Sequence, residues 1–393
     1  MTDRKAQAGS LLSSEISPGL PWIPVSAQMH DHAMVVAGVP ARKYYWDAKT
    51  FVQTYREVAT YYGMDIIAPA SDVYNFEIEA MGGKLVYSDN AMPTIDYRDP
   101  LIKEPEDLKK LKTPDFYKDG RLPFALDCIK LQKSKTGRFC GIFSMAVGLR
   151  SYPLLIRDMR RKPEFVDSLF NFIIDDVLLP FFKAQKDYCG ITTAYGADAW
   201  ACVPNLSVKE MKDWVVPYNQ KLARKAEEFG VTAWTGSGDY CEEDLDKFDK
   251  DAVYGCFDIQ LASRGGNELT LGMGNWHIYP LEPVREYTDK LRQQGINIFI
   301  RAGVNARVVR DGPEEKIIAI IKRYISTLAR DHELTIWLAN IPADTPAEHV
   351  HAAVAAAHTF GHKPLVKDLN KVKVEVPRRE TFQEWKMKSR VVK

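Results

Sequence analysis

Hydrophobic and polar positions along the chain switch repeatedly between two periods. Short runs rich in β-branched and aromatic residues, bounded by Gly, Asp or Asn, predict strands at 23–27, 64–69, 140–146, 191–199, 232–236, 252–257, 270–274, 297–302 and 334–339. Helix-period stretches lie between them. One covers 51–62, opened by Asp47. Another covers 208–229, where Ser207 caps and Glu210 completes a capping box. Two more, 313–330 and 346–360, follow the last two strands, the second closing at Gly361. Repeated strand–helix units imply a parallel sheet. Eight or more such units favour a closed (β/α)8 TIM barrel over an open doubly wound sheet. The stretch 86–122, which includes IKEPEDLKKLKTPD, breaks the alternation and reads as a surface excursion with a short helix. Residues 1–20 are polar and Ser/Gly-rich, an N-terminal arm or dimer-contact segment. This leaves 21–393 as a single barrel domain.

Composition narrows the classes. With 393 residues, 46% of them hydrophobic, the chain can build a large core. The net charge is +1 and no long like-charged block occurs, so neither nucleic acid nor an anionic membrane is an expected partner. The most apolar segment, 169–182, is interrupted by Asp175 and Asp176 and is too short to span a bilayer, so it predicts a buried helix. No secretory h-region appears in the first twenty residues, and the six cysteines are scattered. Reduced thiols in the cytoplasm are the expectation. No GxGxxG or GxxxxGK[ST] turn follows a strand, which argues against dinucleotide and P-loop chemistry.

Three residues carry the chemistry: Cys241, Cys256 and His277, at the predicted ends of three successive strands. Fourteen residues separate the first two, and twenty separate the second from the third. Strands in a barrel lie about 4.8 Å apart, so three neighbouring ends can converge on one ion at the catalytic face. Two thiolates and an imidazole can hold zinc with a fourth position open. Cys202 or Asp239 as a fourth ligand would instead close a structural site. Each cysteine alone is as readily a small buried hydrophobe.

Asp198, beyond a strand end, suits substrate orientation, proton acceptance or helix capping. His30 and His32 follow the first strand and are candidate general acids, or structurally bonded histidines. Glu77 is placed to contact substrate, and Glu79 reads as a helix-face residue. Tyr74, Phe76, Phe143, Tyr195, Trp200, Trp234, Tyr240 and Trp276 cluster near strand ends and would suit a flat ring, although aromatics also fill any barrel's core. Asn275 and Asn305 are polar candidates at the mouth. The histidines of HAAVAAAHTFGHKP predict a final helix rather than a metal site.

The stretches HDHAMVVAGVPARKYYWDA, YYGMDIIAP, EIEAMGGKL, KEPEDLKKLKTPD, AYGADAWACVPNLSVKEMKDWVVPYNQKL and GPEEKIIAII, in this order, resemble the uroporphyrinogen decarboxylase superfamily from about His30 to His362. The resemblance implies a (β/α)8 barrel, and either porphyrinogen decarboxylation or zinc-dependent methyl transfer with corrinoid proteins. The RQAGRY-like stretch of the decarboxylases is replaced by SAQMHDHAM. The H-x-C pair of the methyl-coenzyme M-forming branch is absent from VTAWTGSGD. The corrinoid-dependent O-demethylase methyltransferases place zinc ligands as E-x14-E-x20-H. This chain has that spacing, with Cys241 and Cys256 in place of the glutamates and His277 at the histidine. The implied reaction moves methyl from an O-methyl donor, such as a methoxylated aromatic, to cob(I)alamin. No D-x-H-x-x-G motif occurs, so the cobalamin is expected on a partner corrinoid protein. Methyl transfer from a methylcorrinoid to a thiol, and a metal-free lyase or binding barrel, are the alternatives.

Overall fold

The computed structural model describes residues 19–68, 75–242, 244–264, 267–271 and 281–391. Val25–Ala27, Glu333–Leu338, Phe299–Val304 and Glu268–Leu271 pair side by side, all parallel. Ile66 adds a parallel bridge to Ser26. A second parallel sheet joins Thr136–Cys140, Thr193–Ala197 and Thr232–Gly236. These eight segments follow one another in chain order along two arcs, with helices between them. That is a TIM-barrel-like α/β fold.

Side-chain alternation separates the two faces of the arcs. The apolar core takes Ile300, Ala302, Val304, Leu334, Ile336 and Leu338 from one sheet, and Phe139, Ala194 and Ala233 from the other. These face the helices; Phe139 packs edge-on against Phe182. The intervening residues Arg138, Tyr195, Trp234, Arg301, Thr335 and Trp337 therefore form the inner face.

Two predicted strands are corrected. The strand expected at 140–146 ends at Cys140, and Ile142–Arg150 is a helix. Every residue of that helix is buried, so its apolar run has no polar stripe to reveal the helical period. The stretch 252–257 is also helical, part of Lys250–Arg264. Its buried Val253, Cys256, Phe257 and Gln260 show the three-and-four spacing of a helix. The Asp249 carboxylate accepts from the amides of Asp251 and Ala252 at its start. The helix expected over 208–229 splits into Val208–Trp214 and Val216–Glu227, with Pro217 in the first turn of the second. The expected cap geometry is present: Ser207 and Glu210 cap reciprocally, and Asp47 accepts from Thr50.

Between Ile66 and the Thr136–Cys140 strand, the chain forms a two-residue antiparallel pair, Leu85–Val86 with Thr94–Ile95, and a 3-10 turn over Pro105–Lys110. Arg150, fully buried, anchors this segment: its Nη1 donates to the carbonyls of Ile102 and Lys103, and its Nε to Asp158 Oδ2 at 2.8 Å. Residues 169–182 pack inward as expected, with Asp175 turned out to Lys225. No helix among the described residues is long and apolar enough to cross a membrane.

Candidate functional site

Three thiols gather beyond the ends of the second sheet. Cys202–Val203 and Asp239–Tyr240 form a short parallel pair in which Cys202 lies opposite Asp239. The Cys241 amide then donates to the Val203 carbonyl at 2.8 Å, which holds Cys241 beside Cys202. The Cys256 thiol donates to the Asp239 carbonyl at 3.7 Å. Cys256 ends no strand, contrary to expectation; it projects from the Lys250–Arg264 helix into the cluster. Gly238, at φ +87°, permits this approach: a Cβ there would lie 3.0 Å from the Cys256 carbonyl and 2.7 Å from Ile259.

The electrostatics of the cluster follow from crowding and burial. A hydrogen bond with the Cys202 side chain, then burial, then the neighbouring Cys202, Asp239 and Cys256 push the Cys241 thiol well above its ordinary value. Burial, followed by Asp239 and Cys202, pushes Cys256 up as well. These thiols are neutral until a cation compensates their negative charge. Among the described residues, no three Cys, His, Asp or Glu side chains converge closely enough to hold a metal ion. His277, Asn275, Trp276 and Tyr74 lie outside the described residues.

Asp198 is 1% exposed and acts as a helix cap. Its Oδ1 accepts from the Ser144 amide at 2.7 Å and the Ser144 hydroxyl at 2.6 Å, and its Oδ2 from the Phe143 amide at 3.2 Å. It thus satisfies the first amides of the Ile142–Arg150 helix from another part of the chain. Gly141 makes room, since a Cβ there would come within 2.3 Å of the Asp198 Cβ. Burial raises the Asp198 carboxyl to about 6, against these hydrogen bonds.

The other candidates divide between site and scaffold. His32 is fully buried, with Nε2 2.7 Å from the Tyr62 hydroxyl, and burial lowers it to about 4. His30 Nε2 lies 2.7 Å from the Gln28 side chain. Phe143 packs edge-on against Phe170 in the helix layer. The Tyr240 hydroxyl donates to the Lys247 carbonyl and accepts from the Asp249 amide, tying down the loop between them. Asn305 caps the Ala306–Asp311 helix. These contacts give His32, Phe143, Tyr240 and Asn305 scaffold roles. Glu77, 2% exposed, accepts from the Cys140 amide where the Thr136–Cys140 strand ends. Trp200 stacks on Tyr152 and meets Tyr97 edge-on beyond the Thr193–Ala197 strand. Tyr195 stands on the inner face.

The sequence reasoning passed over Arg138, Arg301 and Trp337. A signal was present: an arginine at the centre of each of the strands TGRFC and FIRAGV, where a buried strand favours apolar residues.

His32 carries a pH prediction. The unfolded chain takes up its proton near 6.5, whereas the folded chain refuses it until about 4. Stability is therefore expected to fall as pH drops through that window, by an order of ~3 kcal/mol from this group. Urea unfolding at pH 7 and pH 5 checks this. His32→Gln should reduce the difference; an unchanged difference would overturn the assignment. His351, also lowered to about 4 by burial and by Arg379, leaves part of the slope in place.

A barrel-like fold with side chains gathered beyond its strand ends is the architecture of many enzymes. The uroporphyrinogen decarboxylase (URO-D) family profile matches residues 16–254, and the chain belongs to that family. No curated protein matches. Among solved structures, a methyltransferase from Methanosarcina mazei superposes with a TM-score of 0.65 at 17% identity, covering 88% of this chain and 96% of that one. At that identity the likeness establishes the fold.

Proposed function

We propose that this chain is a zinc-dependent methyltransferase that moves methyl from an aromatic methyl ether to the cob(I)alamin of a partner corrinoid protein. The observation that carries the reading is the gathering of Cys241 and Cys256 from different elements. Family membership and the name of the M. mazei structure support it. So does the x14 and x20 spacing to His277. Cys241, Cys256 and His277 would hold the ion, and Cys202 lies against Cys241 as a further soft donor. Bound there, zinc would supply a Lewis acid toward the ether oxygen, where charge develops as phenolate leaves.

The chain's own residues do the rest. The thiols release their protons as the ion binds. Glu77 and Trp200 border the strand ends where the ring would sit, and Tyr195 and Trp234 offer flat faces below it. Transfer from a methylcorrinoid to a thiol substrate is the second reading, favoured by the thiol-rich donor set.

The test is the zinc content of the purified chain, with Cys241→Ala and His277→Ala beside it. About one zinc per chain, lost in both variants, is expected. Zinc absent, or present but unaffected by either change, would end this metal site and leave the chain a member of the family without an assigned reaction. With zinc present, methyl transfer from methoxylated aromatics to cob(I)alamin, or from methylcobalamin to thiols, separates the two readings.

A further inference from the structure

Cys202 is the thiol of the cluster that zinc held by Cys241, Cys256 and His277 would not require. In the short parallel pair it lies opposite Asp239, so Cys241, two residues further on, belongs to the same face. The 2.8 Å bond from the Cys241 amide to the Val203 carbonyl carries the pairing one step beyond the strands and fixes that placement. The two side chains then meet, with a hydrogen bond between the thiols. Asn205 orients the Cys202 sulfur: its Nδ2 donates to Cys202 Sγ and to the Trp200 carbonyl, each at 3.4 Å.

A packing cysteine places its thiol hydrogen on a nearby carbonyl. Cys189 does so at Leu126, at 3.3 Å, and Cys140 at Gly141, at 3.4 Å. Cys256 does so at Asp239. Cys202 and Cys241 instead face each other, sulfur to sulfur. From such contact the ~2.05 Å bond of a disulfide is reached by turning the side chains. The two thiols also differ in access. Cys202 is 4% exposed, whereas Cys241 is partly open to solvent. Cys241 is therefore the thiol that a dissolved oxidant reaches first, and Cys202 the one that resolves the product.

We propose that Cys202 and Cys241 form a reversible disulfide, with a small disulfide such as oxidised glutathione as the oxidant, and that this link and a metal ion exclude one another. The second half rests on the zinc reading; the first does not. Cys241, giving up its proton, attacks one sulfur of the oxidant; a mixed disulfide forms and one glutathione thiolate leaves. Cys202, giving up its proton, attacks the Cys241 sulfur; the bond to glutathione breaks and the second thiolate leaves. The protein loses two hydrogens, and the oxidant is reduced to two thiols. A sulfur in the link is no longer a thiolate, so Cys241 is withdrawn from the metal until a thiol reductant restores it.

The test treats the full chain, freed of metal by a chelator, with oxidised glutathione. Free thiols are then alkylated, the chain is digested, and linked peptides are measured by mass spectrometry. The Cys202–Cys241 pair is expected at least ~10-fold above any pair that includes Cys256, and dithiothreitol should abolish it. Cys202→Ser should leave glutathione on Cys241, whereas Cys241→Ser should leave Cys202 unmodified. Unfolding midpoints of both variants separate a lost thiol from a loosened fold. No linked pair, a dominant pair containing Cys256, or glutathione on Cys202 in the Cys241→Ser variant would overturn the proposal. Zinc supplied before the oxidant is expected to slow the link at least ~10-fold, and the oxidised chain to take up no zinc. An oxidised chain that binds zinc as well as the reduced one would overturn the exclusion. A linked pair in a chain whose reduced form binds no zinc leaves the redox site standing and removes the metal reading; zinc bound by a chain that forms no link does the reverse.

Discussion

With zinc held as proposed, Cys256→Ala is expected to lose the ion and lower methyl transfer at least ~10³-fold while the protein stays folded. Removing a ligand from a three-ligand zinc site forfeits the Lewis acid outright, and several kcal/mol of transition-state stabilisation go with it. The fold should survive for local reasons. Cys256 lies within the 15-residue Lys250–Arg264 helix, where alanine has the better intrinsic propensity. Its thiol makes one weak bond, 3.7 Å to the Asp239 carbonyl, and filling is the rest of its packing role. The loss of one buried sulfur costs about 1 kcal/mol. Zinc content, turnover and the urea midpoint together check the prediction. A variant with full activity would show that Cys256 is a packing residue and end the metal mechanism. Cys202→Ala makes the informative comparison, since Cys202 contacts Cys241 but lies outside the x14 and x20 spacing.

Asp158→Ala is expected to destabilise the protein by about 3–5 kcal/mol, the typical effect of removing one partner from a buried ion pair. Arg150 and Asp158 are both fully buried, with Arg150 Nε 2.8 Å from Asp158 Oδ2. Without the carboxylate, the guanidinium keeps only the carbonyls of Ile102 and Lys103. Those carbonyls belong to the segment between the first and second sheets, so the damage should extend to the anchoring of residues 102 and 103. Against a typical total stability of roughly 5–15 kcal/mol, the loss is a large fraction. Replacing both partners by apolar residues, Arg150→Met with Asp158→Leu, should cost much less than the single change, because no buried charge is stranded. Urea unfolding of the three variants checks both statements. A single variant within about 1 kcal/mol of the parent would mean that water reaches the arginine.

The alternation of strand and helix, the caps at Asp47 and Ser207, and the inward packing of 169–182 were legible because each depends on local periodicity or on a side chain bonding amides a few residues away. The family was legible for the same reason: its stretches recur in order along the chain. Tertiary structure decided the rest. IFSMAV and AVYGCF are apolar runs too short and too deeply buried for their period to be unambiguous, and packing made both of them helices. Asp198 became a cap for a helix more than fifty residues earlier, a relation that no local spacing can express. Cys241 and Cys256 were visible as a spaced pair, but the proximity of Cys202 to Cys241 required a two-residue parallel pairing between distant loops. The arginines of TGRFC and FIRAGV were visible as charges within strands. The face each of them occupies required its sheet, because side-chain direction follows from strand register, and register is a property of paired strands rather than of either one alone.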